Sequence, residues 1–217
     1  MALRIPFVVS LTLTAAAFFA PLAQAQAPVG DAKRGHDLAY TCQGCHAIPN
    51  YKNVYPTYSV PKVHGQRPEY LLAALKAYKS GERSHGTMHS HAVSMSDQDM
   101  ADVAAYLAGP NVLTDSKTDV KPSDRPKASE VCLACHGTNG VGITADYPTI
   151  AGQHGDYIER ALTDYQKGAR KNPIMAGMVA TLTKQDIEEL AAYYSSQAPA
   201  LSTVPKKVFF FSSSPAK

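Results

Sequence analysis

The chain has 217 residues, with 21 Lys and Arg against 18 Asp and Glu, a formal net charge of +3 and 45% hydrophobic residues. So small an excess gives no whole-molecule field that would hold a polyanion, so nucleic-acid binding has no compositional support and is not expected. Length alone allows one domain or two.

The first 25 residues read as an export signal. Arg4 carries the one positive charge, Ile5 to Ala20 is an apolar run of 16 residues, and Ala23-Gln24-Ala25 is a small-residue cleavage pattern. The run is short for a bilayer span and contains Pro6, so an uncleaved anchor is the weaker reading. Removing Arg4 leaves a formal charge of +2 on the mature chain.

Cys42-Gln43-Gly44-Cys45-His46 follows soon after, and Cys132-Leu133-Ala134-Cys135-His136 repeats its spacing 90 residues later. Two cysteines separated by two residues, with histidine next, form the attachment pattern of c-type haem. Both thiols must reach vinyl groups along one edge of the porphyrin, and the imidazole must swing beneath the ring to bind iron. One helical turn achieves this. Disulfide pairing would leave both histidines unexplained, and a shared zinc site wants its cysteine pairs about 15 to 20 residues apart. A thioredoxin-like pair needs a strand-helix-strand context that neither site has. All four cysteines fall inside the motifs. Two covalent haem c groups are therefore expected, on Cys42 and Cys45 and on Cys132 and Cys135, with His46 and His136 as proximal iron ligands. Thioether formation takes place outside the cytoplasm, which agrees with the signal and makes the expected location periplasmic.

The remaining elements are predicted to be helices joined by loops, with no strand-length alternation. A first domain spans 28–109. Its 47–60 stretch is a loop holding Tyr51, Tyr55 and Tyr58, three residues longer than its counterpart. A helix follows from Pro68 to Lys79, with proline suited to the first turn, Leu71, Leu75 and Tyr78 on its apolar stripe, and Gly81 ending it. The last helix opens on the capping box Ser96 to Asp99 and buries Met100, Val103, Ala104 and Leu107. Residues 110–127 have linker composition. A second domain spans 128–197, with little helix before Cys132 because Pro122 and Pro126 limit it. Its middle helix carries Ile158, Leu162 and Tyr165, and its capping box is Thr183 to Asp186. Residues 198–217 read as a partly disordered tail, in which Phe209, Phe210 and Phe211 are unexpectedly apolar.

From Gly65 onward the halves superpose at an offset of 87, pairing Gly65-Gln66 with Gly152-Gln153, Tyr70 with Tyr157 and Arg83 with Arg170. The same offset selects the sixth ligand. Met88 and Met175 correspond, in the loop before each last helix. Met95, Met100 and Met178 fall on Leu182, Ile187 and His91, so each reads as apolar filler or as unpaired in the repeat. His89 or His91 is the alternative ligand at the first iron, and the choice matters because Met/His ligation raises the reduction potential. The carbonyls of Pro61 and Pro148 are candidate acceptors for the proximal imidazoles. Arg83 and Arg170 are candidate partners of the haem propionates.

Tyr-Pro-Thr-Ile-Ala-Gly-Gln at 147–153, Gly-Ala-Arg at 168–170, Met175 before Leu-Thr-Lys-Gln-Asp-Ile, and Leu-Ala-Ala-Tyr-Tyr-Ser-Ser-Gln at 190–197, with the doubled haem motif, resemble the dihaem cytochrome c4 family over nearly the whole mature chain. The resemblance implies an all-α architecture of two tandem class I cytochrome c domains related by a pseudo-twofold axis. It also implies propionate edges facing across the interface, His/Met ligation by His46 with Met88 and His136 with Met175, and electron delivery to a terminal oxidase or similar acceptor. In the first half Ala47-Ile48-Pro49-Asn50 stands where a glycine-rich turn is usual. The leading function is a periplasmic electron carrier and not an enzyme, exchanging electrons with a quinol-oxidising complex, a dehydrogenase or a terminal oxidase. The alternatives are a peroxidase or thiosulfate-oxidising dihaem oxidoreductase, and a cytochrome subunit of a larger dehydrogenase.

Overall fold

Asp31 starts the folded chain by capping helix α1 (Ala32–Leu38), accepting from the Lys33 and Arg34 N–H groups at 2.8 and 3.3 Å. The computed structural model describes residues 28–114, 121–198 and 200–205. The expected export signal, the middle of the expected linker and Phe209 to Phe211 lie outside these residues. Helix α2 (Tyr40–His46) carries the first haem motif. Helix α3 (Pro68–Ser80) has proline in its first turn and ends at Gly81, whose φ of 80° is the left-handed value that glycine adopts freely. Two further helices, α4 (Gly86–Val93) and α5 (Asp97–Ala108), complete the first unit, and the capping box of α5 forms as expected.

Helix α1 has no apolar stripe, and the sequence reading misses it. It is held instead by polar anchors and a close crossing. The buried Asp102 carboxylate accepts from the Asp31 N–H at 2.7 Å and pairs with Arg34. Gly35 lies against the α5 backbone, where any Cβ would collide with the Asp102 carbonyl. Helices α3 and α5 enclose a core of Leu71, Leu75, Met100, Val103 and Leu107.

In the second unit, two short 3-10 turns, Pro122–Asp124 and Lys127–Val131, stand where the first unit has α1. This matches the limit set by the prolines. Helix α6 (Leu133–His136), with Cys132 at its N-cap, holds the rest of the second motif, and α7 (Gly155–Gln166), α8 (Pro173–Val179) and α9 (Lys184–Ser195) follow. Its core is smaller, built from Ile158, Leu190, Ala191, Tyr193 and Tyr194. Among the described residues the extended pairings are isolated bridges only, and no helix is long and apolar enough to cross a membrane.

The two units meet about a pseudo-twofold axis that the hydrogen bonds locate. Arg83 and Arg170, equivalent in the repeat, bridge each other antiparallel. The Ser84 N–H donates to the Ala169 carbonyl at 3.0 Å, and the Lys171 N–H to the Glu82 carbonyl at 2.7 Å, which is the same contact under the same offset. The tyrosine-rich loop joins this seam, for Ser59 donates from both its N–H and its hydroxyl to Asp156 at 3.0 and 2.9 Å.

Residues 200–205 depart from the expected loose tail. They run back along the first unit, where Ser202 exchanges two 3.0 Å backbone hydrogen bonds with His64, and the Val204 N–H donates to the His46 carbonyl at 3.0 Å. Leu201 and Val204 are buried, Val204 within the first core. Composition reads the prolines and the lysine and serine runs that follow, and so suggests a loose tail. Two apolar residues three apart are too sparse a pattern to register.

Candidate haem sites

Helix α2, about two turns long, brings Cys45 and His46 to the wall of a cavity of ≈ 640 Å³ shared by both units, with Cys42 partly buried against the first core. In the second unit Cys132, Cys135 and His136 all lie on that wall. The His46 Nδ1 donates to the Pro61 carbonyl at 2.9 Å and the His136 Nδ1 to the Pro148 carbonyl at 2.8 Å. A proton fixed on Nδ1 leaves Nε2 as the lone-pair nitrogen turned to the cavity side, which is the tautomer a metal ligand requires. Burial lowers both imidazole pKa values, outweighing the carbonyls that act the other way, so both rings are neutral and ready to bind.

Met88 and Met175 are also on the wall. They sit in the short helices α4 and α8, and not in loops as the sequence reading has it. The reason is local capping: His85 accepts from the Met88 N–H at 3.3 Å, and its equivalent Asn172 accepts from the Met175 N–H at 3.0 Å, with Pro173 in the first turn. Of the first-unit histidines, His46 and His85 line the cavity. His89 is exposed and donates to the Tyr78 carbonyl at 2.8 Å, and neither it nor His91 is among the lining residues. Met100 is buried and Met95 packs against the first core, whereas Met178, which has no methionine or apolar counterpart in the repeat, is 44% exposed on the cavity wall. In the repeat Met178 corresponds to a polar residue, a clue to exposure.

Arg83 and Arg170 converge on one phenol. Each donates through Nη2 to the Tyr70 hydroxyl, at 3.0 and 3.4 Å. Burial pushes Tyr70 up, but the two positive charges and their hydrogen bonds outweigh it and lower its pKa to about 8. The Nε of Arg170 is buried with no hydrogen-bond partner among the described residues, although the cavity wall includes Arg170. An orphaned guanidinium donor in an apolar cavity is a place for an anionic ligand group.

The cavity is otherwise lined by side chains such as Leu71, Leu75, Ile158 and Leu162. Paired cysteines, carbonyl-braced imidazoles, methionines on the same cavity wall, apolar walls and an unpaired arginine donor together fit two haem groups. Sequence reasoning missed Gln66 and Gln153 as functional residues, though the Gly-Gln repeat marked them. Each is buried, and its side-chain amide reaches into the opposite unit.

A helical unit that presents a Cys-x-x-Cys-His turn and a methionine-bearing helix to one cavity is a c-type cytochrome domain, and this chain is built from two. The cytochrome c family profile matches residues 32–109 and 127–198. Cytochrome c4 of Pseudomonas aeruginosa is 34% identical over 178 residues, covering 76% of this chain and 87% of that protein. The crystal structure of reduced recombinant cytochrome c4 from Pseudomonas stutzeri superposes with a TM-score of 0.62 at 29% identity, covering 78% of this chain and 100% of that one. A Stutzerimonas stutzeri protein named thiosulfate dehydrogenase electron acceptor is 26% identical over 178 residues, covering 73% of this chain and 79% of that protein. The chain belongs to the cytochrome c family, and within it to the dihaem, electron-transferring cytochrome c4 group.

Proposed function

We propose that this chain is a periplasmic electron carrier whose irons are held by His46 with Met88 and by His136 with Met175, on haems linked through Cys42, Cys45, Cys132 and Cys135. The observation that carries it is the wall of one cavity, where His46, Met88, His136 and Met175 all lie. When bound, each haem supplies a one-electron ferric/ferrous couple. The protein's part is to hold that couple still. Pro61 and Pro148 fix the imidazole tautomers, the His85 and Asn172 caps aim the methionine helices, and the apolar walls exclude water so that little solvent reorganises when charge moves. Two protein ligands per iron leave no open position for substrate, which supports a carrier over an oxidoreductase. The likeness to a protein named for accepting electrons from a thiosulfate dehydrogenase supports a dehydrogenase among the donors. A quinol-oxidising complex is a further donor class and a terminal oxidase a matching acceptor. The apolar run before Ala23-Gln24-Ala25 supports export.

Spectroelectrochemical titration of the purified dihaem protein tests this. Two high-potential waves are expected, with the long-wavelength charge-transfer band of sulfur-bound ferric haem. Met88→Ala and Met175→Ala should each remove about half of that band. A band left intact by Met88→Ala would show that another group binds the first iron.

A further inference from the structure

The peptide group that braces each proximal histidine is itself held by the opposite unit. The carbonyl of Pro61 and the N–H of Lys62 belong to one planar peptide. Its carbonyl accepts from His46 at 2.9 Å, and its N–H donates to Gln153 Oε1 at 2.9 Å. Gln153 Nε2 then donates to the Lys62 carbonyl at 2.8 Å, so both ends of the side-chain amide are engaged. In the second unit, the Pro148 carbonyl accepts from His136 at 2.8 Å, and the Thr149 N–H of the same peptide donates to Gln66 Oε1 at 3.0 Å. Gln66 Nε2 closes the pair by donating to the Thr149 carbonyl at 2.8 Å. Gln66 and Gln153 are only 4% and 6% exposed. The repeat offset carries each clamp onto the other, so the arrangement is built twice.

From this geometry we infer that Gln66 and Gln153 are positioning residues that act across the domain interface. Each sets the proximal imidazole of the other unit through a single peptide plane, Gln153 for His46 and Gln66 for His136. The physical link is polarisation along a hydrogen-bond chain: an N–H that donates makes its own peptide carbonyl a stronger acceptor. A stronger acceptor draws the Nδ1 proton, makes the imidazole more basic towards iron, and favours the ferric state. Removing a glutamine should therefore raise the potential of the haem in the opposite unit. The inference rests on His46 and His136 being the proximal ligands. Because both glutamines also line the cavity, an effect on a glutamine's own haem is the rival outcome.

The test uses the dihaem protein and the potentials of both waves. The waves are first assigned in Met88→His and Met175→His backgrounds, each of which should lower the wave of its own unit. If neither background moves a wave, the ligation reading itself has failed, separately from the inference. With the waves assigned, Gln66→Ala should shift the second-unit wave upward by about threefold in the ferric to ferrous ratio, about 28 mV at 59 mV per decade, and leave the first in place. Gln153→Ala should do the reverse. Gln66→Met and Gln153→Met keep the side-chain volume without the amide, and serve if the alanine variants do not accumulate. A merely structural role would lower the unfolding temperature without moving the crossed wave. Shifts confined to the glutamine's own unit, equal shifts of both waves, or no shift would each overturn the inference.

Discussion

Tyr70 is the residue on which the domain seam turns, since arginines from both units donate to its hydroxyl. Its pKa is lowered to about 8, whereas an unperturbed tyrosine ionises at about 10. The neighbouring Tyr78 has the opposite fate, because burial raises it more than the same arginines lower it. The depressed value of Tyr70 has a stability consequence of definite sign. A group whose acid form is weakened by folding stabilises the fold fully above its unfolded pKa, and that contribution is lost as pH falls through its folded pKa. Wild type should thus gain stability over Tyr70→Phe between about pH 8 and pH 10. In a near-ultraviolet phenolate titration one tyrosine should ionise well before the rest, and Tyr70→Phe should lack that step. If all tyrosines titrate together near their ordinary value, the two-arginine account of the seam is wrong.

At the scale of elements, the segment 200–205 shows how a terminal strap ties the two units together. It follows α9 and lies beyond the family profile, which ends at 198, yet Val204 fills the first core and its N–H donates to the carbonyl of His46. The Leu201 N–H donates to the Ala151 carbonyl beside Gly152, whose φ of 65° and closeness to Ala200 leave no room for a Cβ. Ending the chain after Gln197 would expose these contacts. With Leu201 and Val204 each worth about 1.5–3 kcal/mol of burial, a loss on the order of 3–6 kcal/mol is expected. Thermal unfolding of the truncated dihaem protein should show it, and an unchanged midpoint would mean that the strap is incidental. The sequence revealed α3, α5 and α9 because each pairs an apolar stripe with a recognisable start, proline at α3 and capping boxes at α5 and α9, and α7 because its stripe repeats that of α3. It concealed α1, α4 and α8, where single side chains such as Asp31, His85 and Asn172 hold short helices without a stripe. The haem motifs were legible from local spacing. The glutamine clamps were not, because their partners lie 91 and 83 residues away and only folding brings them together.

For the whole molecule, the two units are alike in plan and unequal in substance. Among the described residues the first core gathers 13 buried apolar residues and the second only five, since the second has 3-10 turns in place of α1 and so lacks the α1–α5 crossing. Domains of this size sit near the limit of what an apolar core alone can stabilise, and usually need a covalent or metal staple. A haem bonded through two thioethers and an imidazole is such a staple, and the unit with the smaller core depends on it more. Blocking attachment at one site at a time separates the two. In Cys132→Ala/Cys135→Ala protein, the α7 and α9 amides should exchange rapidly with solvent while those of α3 and α5 stay protected. In the converse Cys42→Ala/Cys45→Ala protein, the first unit should keep more of its helix than the second does in the former. Protein freed of both haems should lose most of its far-ultraviolet helical signal. Near-native helix content in that form would show that the side chains alone specify this fold, and the haems would then be cargo and not part of the core.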